Sequence, residues 1–173
     1  MKTILFFLFV SLLTGCVRIQ SNTKADAVPA FRRILVVTKM RNASDSYVQE
    51  LAQSFPANYE VCTVALSPLS FDNPDETIRK QAAACRSDVI LTLELSKTGH
   101  ISRYNRFDYA YNAEMTSAST GEPFWKAIIS VDPRYGAKIP PRSLVKRLLT
   151  DHIIDGKLPT QSLQAFNGEN INR

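Results

Sequence analysis

Three thiols, two imidazoles and one cluster of cationic and aromatic side chains are the groups in this 173-residue chain whose types could do chemistry. A thiol can be acylated, oxidised or used as a nucleophile, and the thiols are those of Cys16, Cys62 and Cys85. The imidazoles are His100 and His152; neither has a carboxylate or a second His at ligand spacing, so packing or surface hydrogen bonding is expected of both. A nucleophilic serine needs an elbow such as GxSxG or a base held beside it, and the sequence has no such elbow. Glycine is scarce at 6 residues, and no glycine-rich phosphate cradle occurs. Asp72, Asp75 and Glu76 stand where a helix should begin, and a helix dipole favours carboxylates there, so capping is expected of them. No catalytic set, no metal site and no cofactor is therefore expected. The remaining cluster, Lys97, His100, Arg103, Tyr104 and Arg106, mixes residue types favoured at protein interfaces and is the candidate partner-binding segment.

Cys16 has the most informative surroundings. Lys2 supplies a positive start, and Ile4 to Leu13 reads ILFFLFVSLL, with Ser11 the one polar residue. That run is too short for a spanning helix, which needs about 20 apolar residues, and suits the apolar region of a secretory signal. Leu13-Thr14-Gly15-Cys16 resembles the lipobox of bacterial lipoproteins. The resemblance implies that the Cys16 thiol is acylated with diacylglycerol and that a peptidase cuts just before it. Residues 1–15 would be the signal, and the mature chain of 158 residues would hang from a membrane by its first residue. Val17 stands where an Asp usually directs inner-membrane retention, so the expectation is the outer membrane, periplasmic side.

The mature length suits one domain, able to bury about 68–70% of its unfolded surface. The net charge falls from +5 to +4 with loss of Lys2. The basic residues form no stripe of the kind that binds nucleic acid, and secretion argues against that partner. Cys62 and Cys85 would meet an oxidising compartment, where either a disulfide or two buried free thiols is expected.

These groups must be positioned by elements that the patterning outlines. Val17 to Ala30 is polar and without period, so residues 16–30 read as a lipidated Cys and a flexible tether, able to extend about 45 Å. Ile34-Leu35-Val36-Val37 is a continuous apolar run, as in a strand covered on both faces. Val48, Leu51, Ala52 and Phe55 recur at helical spacing. Tyr59 to Leu66 reads as a second strand. Asn73-Pro74-Asp75-Glu76 reads as a helix start, with Asn as cap and Glu in a capping-box position, and Ile78, Ala82 and Cys85 as the inner stripe. Asp88 to Leu95 is a third strand, giving a βαβαβ start with parallel pairing. Period-two alternation from Phe107 to Thr116 and from Trp125 to Val131, around Thr120-Gly121, predicts a β-hairpin with Trp125 on the buried face. Pro140-Pro141 opens a last helix with Leu144, Val145, Leu148, Leu149 and Ile153 inward, His152 near that stripe, Arg142, Lys146 and Arg147 on the wet side, and Gly156 with Lys157 as the C-cap. The expectation is an α/β (α+β) domain over 31–158, a single mixed sheet of about five strands in β-α-β-α-β-β-β-α order with helices packed on it, and a loosely ordered tail over 159–173.

That order, the lipobox and the segment SASTGEPFWKA resemble a broad group of envelope lipoproteins. The group includes the lipoprotein activators of penicillin-binding proteins, the curli-secretion lipoprotein and the amino-terminal domain of the Tol–Pal periplasmic protein. Its members often carry a hairpin of the form Thr-Gly-Glu, apolar residue, Trp, which stands here as Thr120-Gly121-Glu122-Pro123-Phe124-Trp125 with a Pro inserted. The resemblance covers roughly residues 32–155. It implies architecture and compartment; together with the lipobox, the tether and the missing active-site motifs it leads to the expectation of a lipid-anchored, non-catalytic accessory or assembly factor that binds another envelope protein. A module for a cell-wall polymer such as peptidoglycan or for a glycolipid, and a hydrolase with an unrecognised site, are the alternatives.

Overall fold

The computed structural model describes residues 17–40, 44–67, 69–98, 109–132 and 138–160. The described elements are strand β1 (Val17–Thr23), a single 3-10 turn (Ala25–Ala27), β2 (Arg33–Lys39), helix α1 (Asp45–Gln53), β3 (Glu60–Ala65), α2 (Pro74–Ala84), β4 (Val89–Thr98), β5 (Tyr109–Ser117), β6 (Pro123–Val131) and α3 (Pro141–Thr150). The fold is the expected α/β (α+β) type with one mixed sheet. It has six strands rather than about five, in the order β1-β6-β5-β4-β2-β3. β2 pairs parallel with both β3 and β4, and β4, β5, β6 and β1 follow antiparallel.

The sixth strand is the correction. Val17 to Thr23, expected to be tether, pairs along its whole length with β6, from Val17 opposite Val131 to Thr23 opposite Trp125. An edge strand with one wet face needs only alternate residues inward. Val17, Ile19, Ser21 and Thr23 supply them, each half-buried. Two of the four are polar, so the alternation is faint in the sequence.

The local chemistry of the helices follows their caps. The Ser44 side chain accepts from Tyr47 N at 3.4 Å and starts α1. Asn73 Oδ1 accepts from Asp75 N at 3.0 Å and Glu76 N at 3.4 Å, with Pro74 at the first helical position. The Glu76 carboxylate takes the Lys80 ammonium at 2.8 Å rather than closing a capping box. α3 ends at Thr150, six residues before Gly156. His152, with φ 57°, occupies the left-handed position after the cap, and Ile153 N donates to Leu148 O while His152 N donates to Leu149 O. This is a Schellman stop, and α2 stops the same way at Arg86 (φ 49°).

The core lies between the sheet and α1 with α3. Ile34 and Val36 of β2, Val89, Leu91 and Leu93 of β4, Tyr111, Ala113 and Met115 of β5, and Trp125, Ala127, Ile129 and Val131 of β6 meet Tyr47, Val48 and Leu51 of α1 and Leu144, Val145 and Leu148 of α3. The crossovers from β2 to β3 and from β3 to β4 step in opposite directions, so right-handed connections place α2 on the far face. No residue of α2 is fully buried. Leu35 and Val37 are fully buried outside the core cluster of the other face, and a Cys62–Cys85 disulfide holds the end of α2 to β3, with Cα atoms 6.3 Å apart.

The register gives the sheet two ends. One carries Val17, Val131, Tyr109, Lys39 and Ala65. The other carries Thr23, Ser117, Val89, Arg33 and Glu60. They are called the Val17 end and the Arg33 end below.

Candidate functional site

Of the partner-binding candidates, Lys97 is among the described residues, towards the Val17 end. Lys97 lies on β4, its backbone opposite Ala110 across a bulge. His100, Arg103, Tyr104 and Arg106, like Cys16, lie outside the described residues.

The described residues form their most prominent concavity at the opposite, Arg33 end, an open cleft of about 1230 Å³. Four segments converge there: Pro29 to Arg33 leading into β2, Tyr59 and Glu60 opening β3, Cys85 to Asp88 after α2, and His152 to Gly156 after α3. Strand starts and helix stops meet at one end because each crossover helix runs antiparallel to its strands.

Two carboxylates organise the cleft. Asp88 accepts from Arg32 N at 3.0 Å, Arg33 N at 2.9 Å and Arg33 Nη2 at 2.7 Å. The Arg33 guanidinium holds the Asp88 carboxyl down at about 2, against desolvation and with help from the two backbone donors. Asp155 accepts from Asn58 Nδ2 at 2.6 Å, Tyr59 Oη at 2.8 Å and Arg32 Nη1 at 3.1 Å. The Tyr59 and Asn58 bonds lead in keeping it below the ordinary carboxylate value. Arg32 also lies over the Tyr59 ring at 5.4 Å. Gly156 (φ +105°) makes the approach fit, since a Cβ there would sit 2.8 Å from Asn58 Oδ1 and 2.9 Å from Pro56 Cβ. A general base works best with a pKa near the operating pH, whereas both carboxylates are held as low-pKa anions by donors. The cleft presents arginine and tyrosine side chains, types enriched at protein interfaces, beside these ionised carboxylates. Arg86 projects from its left-handed position with no side-chain partner among the described residues.

A second polar cluster fixes the first strand. Asp151, the cap residue of α3, accepts from Trp125 Nε1 at 2.8 Å and from Ser21 Oγ, and pairs with Arg147 Nε at 3.0 Å. Arg147 Nε also donates to Ser21 Oγ at 2.7 Å. Burial pushes the Asp151 carboxyl up, and the Ser21, Trp125 and Arg147 bonds together outweigh it. Trp125 is in the core as its phase predicts, 1% exposed. Arg147 is not on the wet side: it turns inward to bridge α3 and β1. Arg142 likewise donates to Pro159 O at 2.8 Å. His152 is exposed beyond the helix rather than beside its apolar stripe. Sequence reasoning missed Ser21, Asp151 and the cleft; the one signal was an isolated Asp-His-Ile-Ile after an amphipathic helix, which carries no period.

No protein-family model matches the chain, and no curated protein matches it. Among solved structures it is similar to a PelC dodecamer subunit from Paraburkholderia phytofirmans, at 10% identity and TM-score 0.43, covering 78% of this chain and 94% of that one. It is also similar to Lipoprotein GNA1162 from Neisseria meningitidis (14% identity, TM-score 0.35, 70% and 95% covered). TolB from Acinetobacter baumannii is a third (10% identity, TM-score 0.36, 76% of this chain and 29% of that one). At such identities and TM-scores these likenesses assign no function to this chain. Among the described residues, no helix is long and apolar enough to cross a membrane.

Proposed function

We propose that this chain is a lipid-anchored envelope protein that acts by binding another envelope protein, without catalysis. The observation that supports this reading is polarity: the lipobox Cys16 adjoins the first residue of a sheet strand, while the cleft of Arg32, Tyr59 and Arg86 lies at the other end of that sheet. Seven residues of strand separate the two by about 23 Å. An anchor at one end therefore holds the cleft away from the bilayer, towards the periplasm. Tyrosine and arginine are the residue types that dominate binding energy at interfaces, and Arg86 is uncommitted. The disulfide fits an oxidising compartment. The outer membrane, periplasmic side, is the proposed location.

A photo-crosslinking side chain placed next to Arg86, at Ala84, tests the reading in cells. A discrete heterotypic adduct is expected in the envelope, lost in an Arg86→Glu background and kept in a Lys126→Glu background. An adduct insensitive to Arg86→Glu, or none at all, counts against the cleft. A polymer or glycolipid module is the second reading. It is favoured by the position of Lys97 on β4 towards the Val17 end. Sedimentation with purified peptidoglycan, sensitive to Arg103 and Tyr104 substitution, separates it.

A further inference from the structure

The loop between β3 and α2 exposes two large apolar side chains, Leu69 at 86% and Phe71 at 107%. Water-facing apolar residues are ordinary when scattered singly. These two are different in place and in support. β3 ends at Ala65, so the loop emerges at the Val17 end of the sheet. The loop is also built: Leu69 N donates to Ser67 Oγ at 3.1 Å, Ser70 N donates to Ser67 O at 3.1 Å, and Asp72 N donates to Ser70 Oγ at 3.2 Å. Those turns satisfy the backbone while Leu69 and Phe71 project outward.

β1 and β3 are the two edges of the sheet. Five strand spacings of about 4.8 Å put them about 24 Å apart. Cys16 stands one residue before β1 at one edge, and the apolar loop stands after β3 at the other edge, both at the same end. We infer that Leu69 and Phe71 insert into the bilayer that carries the Cys16 lipid, giving the domain a second membrane contact and a fixed orientation. This inference rests on the reading of Cys16 as lipid-bearing.

The bilayer is favoured over a second copy of the chain by area. Two side chains fall far short of the roughly 800 Å² per partner that a stable protein interface needs. A tethered protein needs much less, because the first anchor raises the effective concentration for the second contact. The contact is apolar rather than electrostatic, since Asp72, Asp75 and Glu76 follow Phe71 directly. Insertion should therefore be insensitive to salt and to anionic lipid.

The test uses the full lipidated protein in phosphatidylcholine/phosphatidylethanolamine vesicles. With Cys16 acylated and Cys62 bonded to Cys85, a cysteine introduced by Phe71→Cys or Leu69→Cys is a lone free thiol for a nitroxide label. A matched label through Ser119→Cys, on the hairpin turn at the Arg33 end, serves as reference. The expected result is a label at 69 or 71 collided with by oxygen about tenfold more than by a water-soluble nickel complex, with the label at 119 showing the reverse, unchanged in 0.5 M salt. Labels at 69 and 71 that read as water while the protein floats with vesicles overturn the inference. So does a label shielded equally in the unlipidated Cys16→Ser protein, free of vesicles and detergent, which would make the occupant a second copy. The mass of the Cys16 peptide reports the lipid independently, so a missing anchor is distinguished from a missing loop contact. Leu69→Ser/Phe71→Ser, at exposed positions, should keep the circular dichroism of the parent while the label at a neighbouring Ser70→Cys returns to water.

Discussion

At Asp151 one carboxylate joins three elements that are far apart in the chain. Its acceptors are filled by Ser21 of β1, Trp125 of β6 and Arg147 of α3, and its side chain is 12% exposed. Removing it would leave the Trp125 indole N–H and the Arg147 charge without their partner, and unmet buried donors of this kind cost more than the bond they lose. Asp151→Ala should lower the unfolding free energy by about 2–4 kcal/mol and speed amide exchange along β1, measured by urea titration and hydrogen exchange; a loss under half a kilocalorie with β1 still protected would disprove the clamp. Asp88 gives the pH dependence. Its folded pKa of about 2 lies below its ordinary 3.8, so the stability it contributes is complete above about 4 and is lost as pH falls towards 2. Asp88→Asn should flatten that part of the acid limb relative to the parent, read as the difference in urea midpoints between pH 5 and pH 2. An unchanged difference would remove Asp88 from the account.

Among the described helices, α2 is the one that apolar burial does not hold. Ile78 and Ala82 are half-buried and nothing in the helix is fully covered. The disulfide from Cys85 to Cys62 supplies the attachment and closes a loop with a sequence separation of 23. In the chain-entropy account such a loop is worth about 3 kcal/mol. Cys62→Ser/Cys85→Ser should cost about that much, and exchange should rise first in α2 while α1 and α3 stay protected. Uniform loosening of all three helices would mean that the core, rather than the bond, holds α2. The same element sets one wall of the cleft, through Arg86 and Asp88 just beyond its end, so reduction should also disturb recognition there.

For the whole molecule, β1 changes what a lipid on Cys16 would do. A flexible tether would let the domain reach tens of ångströms from the membrane. A strand that begins at Val17, paired to β6 and clamped by Asp151, leaves no slack between anchor and fold. Under the proposed function, a lipid on Cys16 would position the cleft as well as retain the protein. Cys16→Ser should move the protein from the membrane to the soluble fraction while its thermal midpoint stays within about 2 °C, because Cys16 precedes the paired residues; retention in the membrane would refute the lipid reading.

The local signals were legible from the chain alone. The apolar run of β2, the Asn73-Pro74 helix start, the period-two hairpin and the core phase of Trp125 each depend on neighbours within about ten residues, and each is present as read. The lipobox is likewise a local pattern. β1 was read as tether because an edge strand makes only half of a periodicity, and its partner lies more than a hundred residues away. Arg147 was read as wet because helical phase does not reveal a strand that supplies Ser21 and a cap that supplies Asp151. The cleft needs four segments brought together by parallel crossovers, and no window of sequence contains them. Short-range chemistry therefore determined the elements and the candidate anchor motif, while the tertiary structure decided that Val17–Thr23 is a sheet strand and that the arginine, tyrosine and carboxylate groups of the cleft gather at the Arg33 end, since both depend on pairings between residues distant in sequence.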